Sequence, residues 1–208
     1  MTPLLVLFDV DGTLFLTHDP LAGRALRETL TERFGVELPD DALERVDHEG
    51  QTSLRLGRLV LRHAGLDPPD LGPWCAEFAS RYLELLSEAD TSGWQAAPCA
   101  EEALAALQEA GHRLTLLTGN PEPVARARLE RLGLAHFFPA GQGAFGCESE
   151  SRAELIALAR ARAGGWPAQR TVEVGDTAVD VSSAREAGIR SLRVRPGTSL
   201  TDTLAQLG

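Results

Sequence analysis

Asp9 and Asp11 stand one residue apart and are followed by Gly12 and Thr13. They come directly after an apolar run, Leu4 to Phe8 (LLVLF), that has the character of a buried parallel strand. Carboxylates at the carboxyl end of such a strand lie where open α/β sheets bind ligands. Gly12 lets the backbone turn sharply beside them. Two negative charges this close are costly unless a cation offsets them, so the pattern predicts a metal site and phosphoryl chemistry. Asp9 is the candidate nucleophile. With a reference pKa of ~3.9 it is ionised at neutral pH and can attack phosphorus without a base, giving an aspartyl-phosphate. Asp11 is the candidate general acid, protonating a leaving alkoxide and later deprotonating the hydrolytic water.

Three further segments carry matching chemistry. In Leu116 to Pro121 (LLTGNP) a strand ends in Thr118, whose hydroxyl can bond a phosphate oxygen. The amides of Gly119 and Asn120, near a helix N-terminus, suit an anion, although Asn120 and Pro121 also fit a plain helix start. Arg152 opens a helix behind the Ser151…Glu154 capping-box pattern, where a cation opposes the helix dipole. That position is tolerable if the guanidinium points at the phosphoryl group and stabilises its transition state. Pairing with Glu148 or Glu150 is the competing explanation. In Val174 to Asp180 (VGDTAVD) a strand ends in glycine and a carboxylate. Asp176 would complete a magnesium site with Asp9, since magnesium takes few protein oxygens and several from water or phosphate. Asp180 would position Asp176 or reach a metal-bound water, and Thr177-x-x-Asp180 also fits a helix cap.

The elements that must position these residues alternate. Helices are expected over 100–110, 121–132, 151–163 and 178–187, and strands over 113–117, 171–174 and 190–194. Such β-α-β alternation predicts an α/β protein with a parallel sheet covered by helices on both faces. Residues 16–91 differ in character. The stretches 21–34, 52–63 and 73–87 are amphipathic and helical, with no convincing strand between them. They are read as a helical cap inserted after the first strand, leaving 1–15 and 92–208 as the catalytic core.

Bulk properties narrow the function. The 208 residues carry a formal net charge of -10 and 43% hydrophobic composition. One sizeable core with a smaller second unit fits this length, and a nucleic-acid partner does not fit the charge. No apolar stretch has the length of a membrane span. The N-terminus reaches its charges too soon for a secretory signal, and a cytoplasmic location is expected. Cys75, Cys99 and Cys147 form no zinc pattern and are expected as reduced thiols. All 20 basic residues are arginine. Schiff-base catalysis and a P-loop lysine are therefore excluded.

In order and spacing the four segments resemble the haloacid dehalogenase-like hydrolase superfamily. DVDGT is similar to its first motif, LLTGN to its second, Arg152 to its third and GDTAVD to its fourth. The resemblance implies a Rossmann-like core with a cap above the site, as in the phosphoglycolate phosphatase and β-phosphoglucomutase branch. It implies Asp9 as nucleophile and metal ligand, Asp11 as acid/base that also offers its backbone carbonyl to Mg2+, and Asp176 as the remaining protein ligand. The third motif of that branch often has a lysine followed by proline; here the position is Arg152, without that proline. Asp11 argues against dehalogenation, and the lack of lysine against phosphonoacetaldehyde hydrolysis. The expected activity is Mg-dependent hydrolysis of a small phosphate monoester. A phosphomutase and a non-catalytic binding module on the same fold are the alternatives. The loop His48 to Thr52 is expected to face the site, with Arg55 and Arg58 as candidates for an anionic leaving group or as a solvated helix face. His18 and Asp19 are expected in a surface loop near the cap hinge.

Overall fold

The protein is described from a computed structural model covering residues 2–207. β1 (Leu5–Phe8) is buried along its whole length. It is the centre of a five-stranded sheet of order β3-β2-β1-β4-β5, completed by β2 (Arg113–Thr118), β3 (Ala144–Phe145), β4 (Thr171–Gly175) and β5 (Arg190–Arg193). Every pairing is parallel. Phe8 is level with both Leu116 and Val174, so β1, β2 and β4 end together and their following loops meet at one edge.

Strand alternation sorts the core into two layers. Val6 and Phe8 face one layer with Leu114, Leu116, Val172 and Val174. There they pack on α4 (Ala100–Glu109), α5 (Glu122–Arg131) and α8 (Leu200–Leu204). Leu5 and Leu7 face the other layer, against Leu155, Ile156 and Ala159 of α6 (Arg152–Arg162) and Ala184 of α7 (Ala178–Glu186). The helical and strand segments fall where the sequence places them. The two-residue β3 and the short α8 are additions, both too brief to show a period.

Three helices stand between β1 and α4: α1 (Pro20–Phe34), α2 (Ser53–His63) and α3 (Gly72–Glu88). They build their own apolar cluster around Leu26, Leu30, Leu61, Trp74, Phe78 and Tyr82. Burying one such side chain contributes roughly 1.5–3 kcal/mol. Gly57 is required where α2 crosses α3, because a Cβ there would lie 2.7 Å from the Trp74 ring. The chain leaves and re-enters the sheet unit through two adjacent segments joined by Leu16 N–H to Gln95 O (3.0 Å) and Ala97 N–H to Leu14 O (3.0 Å). Among the described residues no helix is long and apolar enough to cross a membrane.

The cysteines correct the expectation of three reduced thiols. Cys75, at the start of α3, is disulfide-bonded to Cys147, in the loop after β3, and only Cys99 is free. The two partners are 72 residues apart. Only the folding of α3 onto the sheet unit brings them together, and no local pattern announces it.

Candidate active site

Asp9 follows β1, and its N–H extends the ladder by bonding Val174 O (2.9 Å). Its Oδ1 accepts the Val10 N–H (2.8 Å), which fixes the carboxylate at the sheet edge. The chain then curls tightly, with Val10 O accepting from Leu14 N–H (2.9 Å) and Phe15 N–H (2.8 Å). Gly12 sits in the left-handed region at φ 72°, and a Cβ there would lie 2.2 Å from Asp176 Oδ2. Glycine therefore serves both the turn and the approach of Asp176. Oxygens of Asp9, Asp176 and Asp180 all lie within 4.8 Å of one another.

Arg152 lies in the middle of this acidic set. Its Nη2 is 3.6 Å from Asp9 Oδ2 and 3.3 Å from Glu173 Oε1, and it is paired with Asp180 Oδ1. Burial opposes its charge, but Asp9, Asp180 and Glu173 outweigh that and hold the guanidinium firmly protonated. Ser151 caps α6 by accepting the Glu154 N–H. Glu154 turns to the Ser149 hydroxyl rather than completing the box. Asp180 does complete one, accepting from Thr177 N–H (2.8 Å) and hydroxyl (2.6 Å) while Thr177 caps α7. Its oxygens are thus engaged by Thr177 and Arg152.

Asp9, Glu173, Asp176 and Asp180 set four carboxylates against one guanidinium. Burial pushes Asp9 up to about 8, with Arg152 opposing and Asp180 and Asp11 adding to the rise. Burial likewise pushes Glu173 up to about 8 against the pull of Arg152. Asp176 is raised by burial and by Asp180. Carboxyls crowded and shifted in this way are what a divalent cation would offset, and the oxygen donors suit a hard ion. Asp9 and Asp176 fit such an ion.

The second group lies beside the first. Thr118, at the end of β2, is fully buried. Its Oγ accepts from the Asn120 N–H (3.3 Å) and side-chain amide (3.1 Å), leaving its own proton to donate. Asn120 does not cap α5; Pro121 takes that place. The Asn120 side chain instead donates to Asp11 Oδ2 (2.5 Å). Asp11 also meets Arg128, whose Nη1 lies 2.7 Å from Oδ1 and 2.9 Å from Oδ2.

A cavity of about 1380 Å³ opens over both groups. Its far wall includes Arg24 and Arg27 of α1 and His48 to Gln51 before α2. That loop rests on the sheet unit: Ser53 N–H and hydroxyl both donate to Gly119 O (2.8 Å each). A Cβ on Gly119 would lie 2.2 Å from Gln51 O. Neither Arg55 nor Arg58 lines the cavity. Arg55 is exposed, and Arg58 is committed to Glu150 (2.7 Å) and Asp67 (3.0 Å). His18 is exposed on the cavity rim, as a loop residue would be. Asp19 corrects the surface-loop expectation. It caps α1, and its side chain is 3% exposed because Arg128 and Tyr82 bind it.

Residues 4–188 match the family model for haloacid dehalogenase-like hydrolases. The chain belongs to that family. This haloacid dehalogenase-like hydrolase is 33% identical to a phosphoglycolate phosphatase of Rhodospirillum rubrum over 210 residues, which span 99% of the chain and 85% of the relative. A phosphoglycolate phosphatase of Agrobacterium fabrum is 29% identical across 93% of the chain and 81% of its own length. Among solved structures, CbbY from Rhodobacter sphaeroides in complex with phosphate shares the fold with a TM-score of 0.64 at 21% identity, covering 100% and 97% of the two chains.

The hydrolase brings Asp9, Asp11, Thr118, Gly119, Asn120, Arg152, Asp176 and Asp180 to one sheet edge. Two of its residues there were not anticipated. Arg128 lies on the apolar stripe of α5 with Val124, Ala125 and Leu129, an arginine where the helical period calls for a core residue. Glu173 is a carboxyl inside a buried parallel strand, which calls for a bound proton or a buried polar partner. Both signals were present in the sequence pattern.

Proposed function

We propose that the protein is a Mg-dependent phosphatase acting on a small phosphate monoester through an aspartyl-phosphate on Asp9. The observation that carries this is the meeting of Asp9 and Asp176, at the ends of adjacent strands, with Arg152 at the start of α6, and with Thr118 on the neighbouring strand end. Asp9 attacks phosphorus while Arg152, the Thr118 hydroxyl and the Gly119 and Asn120 amides bind the phosphoryl oxygens. Asp11 gives a proton to the departing alkoxide, then takes one from the water that releases phosphate. Mg2+, held by the carboxylates of Asp9 and Asp176 and the carbonyl of Asp11, would neutralise the charge of phosphate and carboxylates. Residues 16–91 act as the cap that shields the reaction from bulk water. Phosphoglycolate, the substrate in the relatives' names, is the first candidate. The cytoplasm is part of the same reading. Disulfides rarely persist there, so rapid thiol alkylation in cells, trapping Cys75 and Cys147 as free thiols, is its test.

Phosphate release from a monoester panel that includes phosphoglycolate tests the activity. Turnover should require Mg2+, stop with chelator and vanish in Asp9→Asn. Release that is indifferent to chelation, or retained in Asp9→Asn, would reject the mechanism. Sugar-phosphate isomerisation without phosphate release would assign a mutase instead.

A further inference from the structure

Two arginines are buried among the described residues, Arg128 and Arg152, and the steps above use only Arg152. We propose that Arg128 is a positioning residue that fixes Asp11 for attack of water on the aspartyl-phosphate, and that it takes its own orientation from Asp19 and Tyr82. This rests on the phosphatase reading.

The guanidinium has almost no freedom. Its Cζ lies over the Phe15 ring (5.1 Å to the centroid) and over the Tyr82 ring (5.3 Å to the centroid). Its Nε and Nη2 both donate to Asp19 Oδ2, at 3.2 and 2.8 Å, and Nε also donates to the Tyr82 hydroxyl (3.1 Å). The Tyr82 hydroxyl in turn donates to Asp19 Oδ2 (2.8 Å). With one edge of the planar fork fixed, Nη1 can only point at Asp11 and at Asn120 Oδ1 (3.2 Å). Asp11 needs such a restraint. Its side chain is 50% exposed at the cavity mouth, and apart from Arg128 it is held by the Asn120 amide, which Arg128 also steadies through Oδ1.

The chemistry explains the timing. When the alkoxide has left with the proton of Asp11, that residue is a carboxylate, the form a guanidinium grips. Water oxygen then bonds to phosphorus, the bond from phosphorus to the Asp9 oxygen breaks, and its electron pair returns to Asp9. One water proton passes to Asp11, and inorganic phosphate is formed. Asp19 starts α1 and Tyr82 belongs to α3, so the seat of these helices sets the direction of Nη1. Hydrolysis is thereby linked to the helices that cover the site.

Pre-steady-state hydrolysis of 4-nitrophenyl phosphate with Mg2+ tests this, because nitrophenolate leaves without a proton. In Arg128→Gln, kcat should fall by ~100-fold, the lower range for a general base. The ratio kcat/KM, which ends at departure of the phenolate, should stay within ~3-fold of wild type. A burst approaching one nitrophenolate per enzyme should appear, absent from wild type. Arg128→Lys should recover part of kcat. Tyr82→Phe keeps the ring, loses only two hydrogen bonds and should show the same split at roughly 3–10-fold, the worth of one or two such bonds; it carries the test if Arg128→Gln does not fold. Equal losses in kcat and kcat/KM without a burst, or wild-type behaviour of both variants, overturn the proposal. Failure of wild type to hydrolyse the ester would instead count against the phosphatase reading.

Discussion

Glu173 should make the metal-free protein less stable as pH rises. The side chain is 0% exposed in the middle of β4, and burial raises its folded pKa from 4.5 to about 8. For a carboxyl raised in this way, the folded state binds more protons than the unfolded state between those two values. Its full stability is present below pH 4.5 and is lost as pH climbs through 8. The loss approaches ~1.4 kcal/mol per pH unit for one group. For a protein of this size that is roughly 3–5 °C in Tm per unit. Asp9, also pushed up to about 8, contributes a second slope of the same sign. Thermal unfolding in chelator at pH 5.5, 6.5 and 7.5 should show wild-type Tm falling. Glu173→Gln keeps an acceptor facing Arg152 while removing one titration. Its slope should be shallower by ~3 °C per pH unit, and its Tm higher at pH 7.5. Saturating Mg2+ should flatten the wild-type slope, because a cation displaces the protons. Parallel slopes for the two proteins, or a wild-type Tm that rises with pH, would rule out Glu173 as the source of the pH dependence.

Gly12→Ala should cost ~1–2 kcal/mol in folding from the left-handed backbone alone. It should also weaken Mg2+ binding by ~10-fold or more, since a Cβ would displace Asp176; calorimetry with Mg2+ checks this, and unchanged affinity would contradict the close approach. Reducing the Cys75–Cys147 bond should lower stability by about 4 kcal/mol, from the chain entropy of a 72-residue separation. Thiol titration of the unfolded chain should rise from one group to three on reduction, and three groups before reduction would show that the bond is not formed. Asp180→Asn should lower activity without destroying it, by freeing Thr177 and Arg152 rather than removing a reacting atom; loss as complete as in Asp9→Asn would make Asp180 part of the chemistry.

The sheet and the covering helices were legible because their periods are strong and their ends are marked. β1 is a continuous apolar run, and α5 is flanked by Pro121 at its N-cap and stops before Gly133. The meeting of DVDGT, LLTGN and GDTAVD followed once each was placed at a strand end. Long-range charge pairing was not legible. Arg128 reaches Asp11 across 117 residues, and Cys75 reaches Cys147 across 72. No local propensity encodes such partners. The available clue was a polar residue on an apolar face, as at Arg128 and Glu173. It says that a partner exists without saying which. Asn120 shows the converse. Its position suited a cap, but Pro121 is the N-cap of α5, and the amide was free to turn toward Asp11.

The proposed mechanism puts the transferred phosphoryl group on Asp9. Acid quenching of the Arg128→Gln variant during turnover, followed by peptide mass mapping, addresses it directly. One added phosphoryl group is expected on the peptide containing Asp9, labile to hydroxylamine and missing in Asp9→Asn. Phosphate released with no such adduct, or an adduct on any other residue, would contradict it.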